Sequence, residues 1–129
     1  MGVLIDTGAL IEVERGAVRL EELSPAESQA MSAITFSELL QGMHRLRGER
    51  HLRSRAFVEG LLSRLEAIPI TETVARVHAD LWAVLRRRGE MIGAHDLWIA
   101  ATAVAHDSGV VTTDVRDFGR VPGLRVLGV

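Results

Sequence analysis

Apolar positions along the chain follow two rhythms. Short solid apolar runs alternate with longer stretches in which apolar residues return every three or four positions. Val3-Leu4-Ile5 is a solid run ending at Asp6 and predicts a buried strand. Residues Ala30 to Thr35, Ala67 to Thr71, Val110 to Thr113 and Leu124 to Leu127 predict four more, with Pro69 pointing to an edge position for the third. Helices are expected over Ala9 to Glu14, Phe36 to Leu46, Glu49 to Leu65 and Thr73 to Arg88. A short helix around Val18 to Leu23 should break at Ser24-Pro25. In the third long stretch Val58, Leu61, Leu62 and Leu65 recur at i, i+3, i+4 and i+7. In the fourth, Val74, Val77, Leu81, Val84 and Leu85 line one face, and Gly89 stops the helix. Leu97 to Ala105 is apolar except at Thr102, which predicts a helix buried on every side and ended by Gly109.

Strands alternating with helices along the whole length imply a parallel sheet with helices on both faces. No repeat, low-complexity segment or linker interrupts the pattern, so residues 1–129 are read as one domain. Apolar residues make up 47% of the chain and charged residues 25%, the balance of a water-soluble globular protein. Cysteine is absent, which excludes disulfides and thiolate metal sites and suits a reducing compartment. No apolar run approaches membrane-spanning length, so a cytoplasmic protein is expected.

The acids then change the picture. In an open parallel sheet, ligands bind beyond the carboxyl ends of the strands. Asp6 and Asp114 both close apolar runs and belong at that edge, although each alone could simply cap the next helix. Thr35-Phe36-Ser37-Glu38 has the form of a capping box, which would engage Glu38 with a backbone amide. Asp96 opens the all-apolar helix, and Asp117 follows Asp114 by three residues. Taken together, these carboxylates fall at strand–helix junctions on one edge. Clustered carboxylates raise one another's pKa, and a hard divalent cation such as Mg²⁺ relieves that cost. Such an ion can activate water and stabilise the oxygens of an in-line phosphoryl displacement.

The stretch "LIDTGAL" also resembles the active site of retroviral-type aspartic proteases. Those enzymes are nearly all-β, at odds with the alternation seen here. A phosphatase of the haloacid-dehalogenase type needs a second Asp two residues after the first, where Gly8 stands. Four blocks in order point elsewhere: "LIDTGALIEV", "ITFSELLQG", "GAHDLWIAATA" and "VVTTDVRDFGRVPGLRV". Along its whole length the chain resembles PIN-domain ribonucleases, specifically VapC-type toxins of bacterial toxin–antitoxin pairs.

That resemblance implies a three-layer α/β/α fold with a five-stranded parallel sheet and strand 1 beside strand 4. It implies Mg²⁺-dependent cleavage of a structured RNA, tRNA or rRNA, with Mn²⁺ as a substitute. It implies a VapB-type antitoxin, a homodimer and a toxin–antitoxin hetero-oligomer. By position, the catalytic acids map to Asp6, Glu38, Asp96 and Asp114. Asp6, Asp96 and Asp114 would hold metal, with Glu38 and Asp117 as further candidates. Asp117 and Thr113 match auxiliary positions. Gly8 stands where many members carry Ser, and Asp114 where many carry Asn. A catalytically silent RNA-binding PIN module is the alternative, and loss of acids would mark it.

Net charge is −2, yet all 15 basic residues are arginine. Five of them lie in "HRLRGERHLRSR", residues 44–55. This is either a solvated helix face or a track for RNA phosphates, with Arg45 and Arg47 as the contacts. Arg86-Arg87-Arg88 suits a helix C-terminus. His95 reads as a surface histidine, His78 as a core one, and Trp82 and Trp98 as packing residues.

Overall fold

The computed structural model describes residues 2–129. β1 (Gly2–Ile5) leads into α1 (Thr7–Glu14), and a single 3₁₀ turn follows at Leu20–Glu22. β2 (Ser28–Ser32) runs directly into α2 (Ala33–His44), followed by α3 (Gly48–Leu61) and β3 (Glu66–Ile68). Then come α4 (Glu72–Arg88), α5 (Ala94–Ala105), β4 (Gly109–Thr112), the short α6 (Val115–Phe118) and β5 (Val126–Gly128). The strands form one sheet in the order β3-β2-β1-β4-β5, with every pairing parallel. All five carboxyl ends therefore share one edge.

The solid apolar runs are strands covered on both faces, as buried parallel strands are. Alternation along β1 sends Leu4 to one side and Val3 and Ile5 to the other. Leu4 joins Val110, Val74, Leu81, Leu85, Ile99 and Phe118 under α4 and α5. Val3 and Ile5 join Leu10, Met31, Leu39, Val58 and Val111 under α1, α2 and α3. The result is the three-layer α/β/α arrangement. α5 is buried at Leu97 and from Ile99 to Ala103, as its composition requires, and His78 of α4 stacks on Trp98 at 3.6 Å between ring centroids. Gly89 ends α4 in the left-handed conformation at φ 65°, which costs glycine little. None of the described helices is long and apolar enough to cross a membrane.

The boundaries differ from expectation where a helix competes with a strand for the same residues. β2 stops at Ser32 because Ala33 to Thr35 belong to α2. Ser32 Oγ accepts the Ile34 amide at 3.1 Å, so Ser32 caps this helix and the Thr35–Glu38 capping box is not formed. Thr35 is fully buried inside the first turn, and Glu38 stands one turn beyond it. β3 ends at Ile68, before Pro69, and lies at the sheet edge as expected. α6, the helix that a capping Asp114 implies, is a single turn and too short to show a period.

Because Ser32 replaces Thr35 as the cap, Ser32→Ala should destabilise the fold by about 1 kcal/mol, the usual worth of a lost N-cap. Urea denaturation checks this, and an unchanged midpoint would return the cap to Thr35.

Candidate active site

Asp6 begins the site. Its amide continues the sheet ladder, donating to Val111 O at 2.9 Å, so the residue is fixed at the seam between β1 and β4. Although it occupies the N-cap position of α1, its side chain makes no capping bond there. Asp6 Oδ2 instead accepts the Thr112 hydroxyl at 2.8 Å. Asp6 is only 6% exposed. Burial pushes its pKa up, partly offset by the Thr112 hydroxyl and the Thr7 amide, and the charges of Glu38 and Asp114 raise it further.

Thr112 closes β4 and is itself fully buried. Its oxygen also accepts the Asp114 amide at 2.9 Å. That bond turns the chain out of the strand and into α6. Asp114 Oδ1 accepts the Asp117 amide at 3.1 Å, so the capping role expected of Asp114 is real. Asp96 enters from α5, in whose first turn it lies. Oxygens of Asp96, Asp114 and Asp117 can all stand within 4.8 Å of one another. Burial raises the Asp96 pKa to about 6, with the charges of Asp6, Asp114, Glu38 and Asp117 adding to it in that order.

Glu38 is held from two sides. Oε1 accepts the Thr7 hydroxyl at 2.7 Å, and Oε2 lies 3.2 Å from His95 Nδ1. Thr113 is exposed at the same edge, and a Cβ on Gly8 would collide with its Oγ1. The glycine thus leaves room for the Thr113 hydroxyl over the first turn of α1.

Topology therefore brings Asp6, Glu38, Asp96, Asp114 and Asp117 to one sheet edge. Asp117 belongs to the tightest group, whereas Asp6 sits behind it on Thr112. Hard carboxylate oxygens at this spacing fit a hard divalent cation. Beside them runs a cleft of about 720 Å³ between α1, α2 and α3, reaching from Thr7 and Glu38 to Arg15, Arg45, Arg50 and Arg53. Arg45 lines it; Arg47, at the N-cap of α3, does not.

A PIN domain model matches residues 3–124. The chain belongs to the PIN domain family. Ribonuclease VapC1 of Rickettsia felis is 37% identical over 134 aligned residues, spanning 100% of this chain and 97% of that protein. The tRNA(fMet)-specific endonuclease VapC of Salmonella typhimurium is 40% identical over 98 residues, 74% of this chain and 71% of its own. The structure of VapBC2 from Rickettsia felis bound to a promoter DNA fragment superposes with a TM-score of 0.89 at 25% identity, covering 100% of this PIN domain and 99% of that chain. Membership accords with the parallel sheet, which the aspartic protease reading could not accommodate.

The reading from sequence overlooked Thr112 and Thr7. A signal existed for Thr112: a hydroxyl inside a solid apolar run is buried and must find a partner. For Thr7 there was none, since its acceptor lies on another helix.

The raised pKa of Asp96 has a consequence for stability. In the fold its carboxyl stays neutral up to about pH 6, whereas its ordinary value is 3.8. The metal-free PIN domain therefore holds this stabilisation fully below pH 3.8 and loses it as pH rises through about 6. Melting temperature measured in chelator should fall over that window, and Asp96→Asn should flatten the fall. An equal slope in the two proteins would show that Asp96 does not titrate there.

Proposed function

We propose that this PIN domain is a divalent-metal-dependent endoribonuclease, the toxin of a type II toxin–antitoxin pair, and that a VapB-type antitoxin restrains it in a cytoplasmic complex. The convergence of Asp96, Asp114 and Asp117 beside Asp6 and Glu38 carries the reading. Relatives named as ribonucleases and a neighbour solved as a VapBC assembly support it.

Mg²⁺ is the proposed ion, with Mn²⁺ able to replace it. Asp96, Asp114 and Asp117 would hold it, with Asp6 as the further carboxylate placed by Thr112. When bound, a hard divalent cation lowers the pKa of water and neutralises charge on a phosphodiester. The chain's own part is preorganisation. Thr112 holds Asp6, the α6 cap holds Asp114, and Thr7 and His95 hold Glu38. The proposed substrate is a structured RNA, a tRNA or rRNA, cut within the strand. Thr113 offers a hydroxyl at the same edge to a water or to the substrate. A homodimer is the proposed assembly of the toxin itself.

The arginine-lined cleft is the proposed approach for RNA. Arg15 pairs with Glu12 at 3.6 Å. Arg45, Arg50 and Arg53 form no salt bridge among the described residues, so their charge remains available to phosphates. A local patch is needed because the net charge of −2 cannot attract RNA.

Purified antitoxin-free protein should cut tRNA or rRNA with Mg²⁺ or Mn²⁺ and stop in EDTA. Asp96→Asn should slow cleavage roughly 100-fold, the scale of one preorganised electrostatic group. Cleavage undiminished by EDTA would overturn the metal mechanism. Bound but uncut RNA would favour a silent regulatory module, and release of phosphate from a monoester alone would favour a phosphatase.

Joint replacement of Arg45, Arg50 and Arg53 by alanine should weaken RNA binding and flatten its salt dependence, by roughly 0.7 in log–log slope per lost phosphate contact. Arg47→Ala should leave both nearly unchanged. Equal effects from Arg47 and the cleft arginines would move the track out of the cleft.

A further inference from the structure

The first turn of α5 carries one polar side chain that the acid cluster does not explain. His95 immediately precedes Asp96, and its side chain is 56% exposed. Its Nδ1 lies 3.2 Å from Glu38 Oε2, while Glu38 Oε1 is occupied by the Thr7 hydroxyl at 2.7 Å. The ring is therefore oriented from α2, 57 positions away in sequence. A carboxylate only accepts hydrogen bonds, so Nδ1 carries the hydrogen. In the neutral ring Nε2 is then left as an acceptor. His95, Glu38, Gly93, Ala94 and Asp96 together line a second, shallow cleft of about 390 Å³. With the ring neutral, the mouth of this cleft holds an acceptor whose direction Glu38 fixes.

A nucleic-acid strand crossing this cleft offers mostly acceptors. Phosphate oxygens and sugar ring and bridging oxygens would oppose the Nε2 lone pair. Base N–H groups are donors, but they vary with sequence. The one donor that every ribonucleotide carries and DNA lacks is the 2′-hydroxyl. We propose that His95 is a specificity-determining residue that reads ribose, accepting at Nε2 a hydrogen bond from a 2′-hydroxyl next to the carboxylate cluster. The assignment rests on the ribonuclease reading and deepens it: Glu38 fixes the ring, and the ring recognises the sugar.

Fluorinated RNA separates this contact from phosphate binding, because a 2′-fluoro group keeps an electronegative atom on the sugar and removes the donor. The probes are two short synthetic hairpins of one mixed-sequence loop, one with ribose and one with 2′-fluororibose in the loop. Affinities are read by fluorescence anisotropy, with Ca²⁺ present to neutralise the acids. Wild-type protein should prefer ribose by about fivefold, the worth of one hydrogen bond. In His95→Ala the ratio should fall towards one, mainly through weaker binding of the ribose probe, with an unchanged melting curve. A ratio of one in wild-type protein would overturn the proposal, as would a ratio that survives in His95→Ala. Equal weakening of both probes would also overturn it, showing that the ring contacts phosphate. The same preparation is assayed on all-ribose RNA with Mg²⁺. Cleavage without ribose preference sinks the His95 contact alone; absence of both cleavage and binding sinks the ribonuclease reading with it.

Discussion

The rest of the site depends on one buried hydroxyl. Thr112 Oγ1 donates to Asp6 Oδ2 and accepts from the Asp114 amide. With one oxygen it ties the end of β1 to the end of β4 and sets where the chain leaves the sheet. A carboxylate buried as deeply as that of Asp6 needs such a partner, since an unsatisfied buried polar group costs about 1–3 kcal/mol and a charged one more. The parallel pairing of β1 with β4 puts the two residues within reach. Because α6 is only one turn long, Asp114 and Asp117 follow directly from that exit angle.

Around this anchor the PIN domain accepts electrostatic strain. Five acids share one edge, and nothing positive among the described residues enters the tightest group of Asp96, Asp114 and Asp117 except Arg120, 4.0 Å from Asp117 at its margin. Burial and mutual repulsion raise the pKa of Asp6 and Asp96. A fold selected for stability alone would separate these groups. The strain is the same property that suits the site to a cation, since the ion removes the repulsion while leaving the geometry in place.

Polar contacts also link the helices at this edge. Thr7 of α1, Glu38 of α2 and His95 of α5 form a chain across three helices. The arginine-lined cleft lies on the α1–α3 side of this chain, and the shallower His95 cleft on the other. Glu38 borders both. It thus lies where a strand passing from one cleft to the other would cross.

Much of this was legible in the residues themselves. Solid apolar runs marked the central strands β1 and β4, because a strand covered on both faces must be apolar at successive positions; β2 carries Ser28, Gln29 and Ser32 and was legible only in part. Asp6, Glu38, Asp114 and Asp117 were already visible after strands, where chain direction alone puts the carboxyl ends together; Asp96 opens a helix that follows another helix, and packing brings it to that edge. Local competition blurred the boundaries: Ser32 and Thr35 are both sound caps, and only the length of β2 decided for Ser32. Distances between acids could not be read at all. Asp6 and Thr112 are 106 positions apart, and Glu38 and His95 are 57 apart. The sequence by itself determined the alternation of strands and helices and the edge to which the acids that follow strands belong, since those follow from near-neighbour sterics and burial. Only the tertiary structure decided that Asp117 joins the tightest group, that Thr112 holds Asp6 and that Glu38 orients His95, because strand order and helix packing set which distant residues meet.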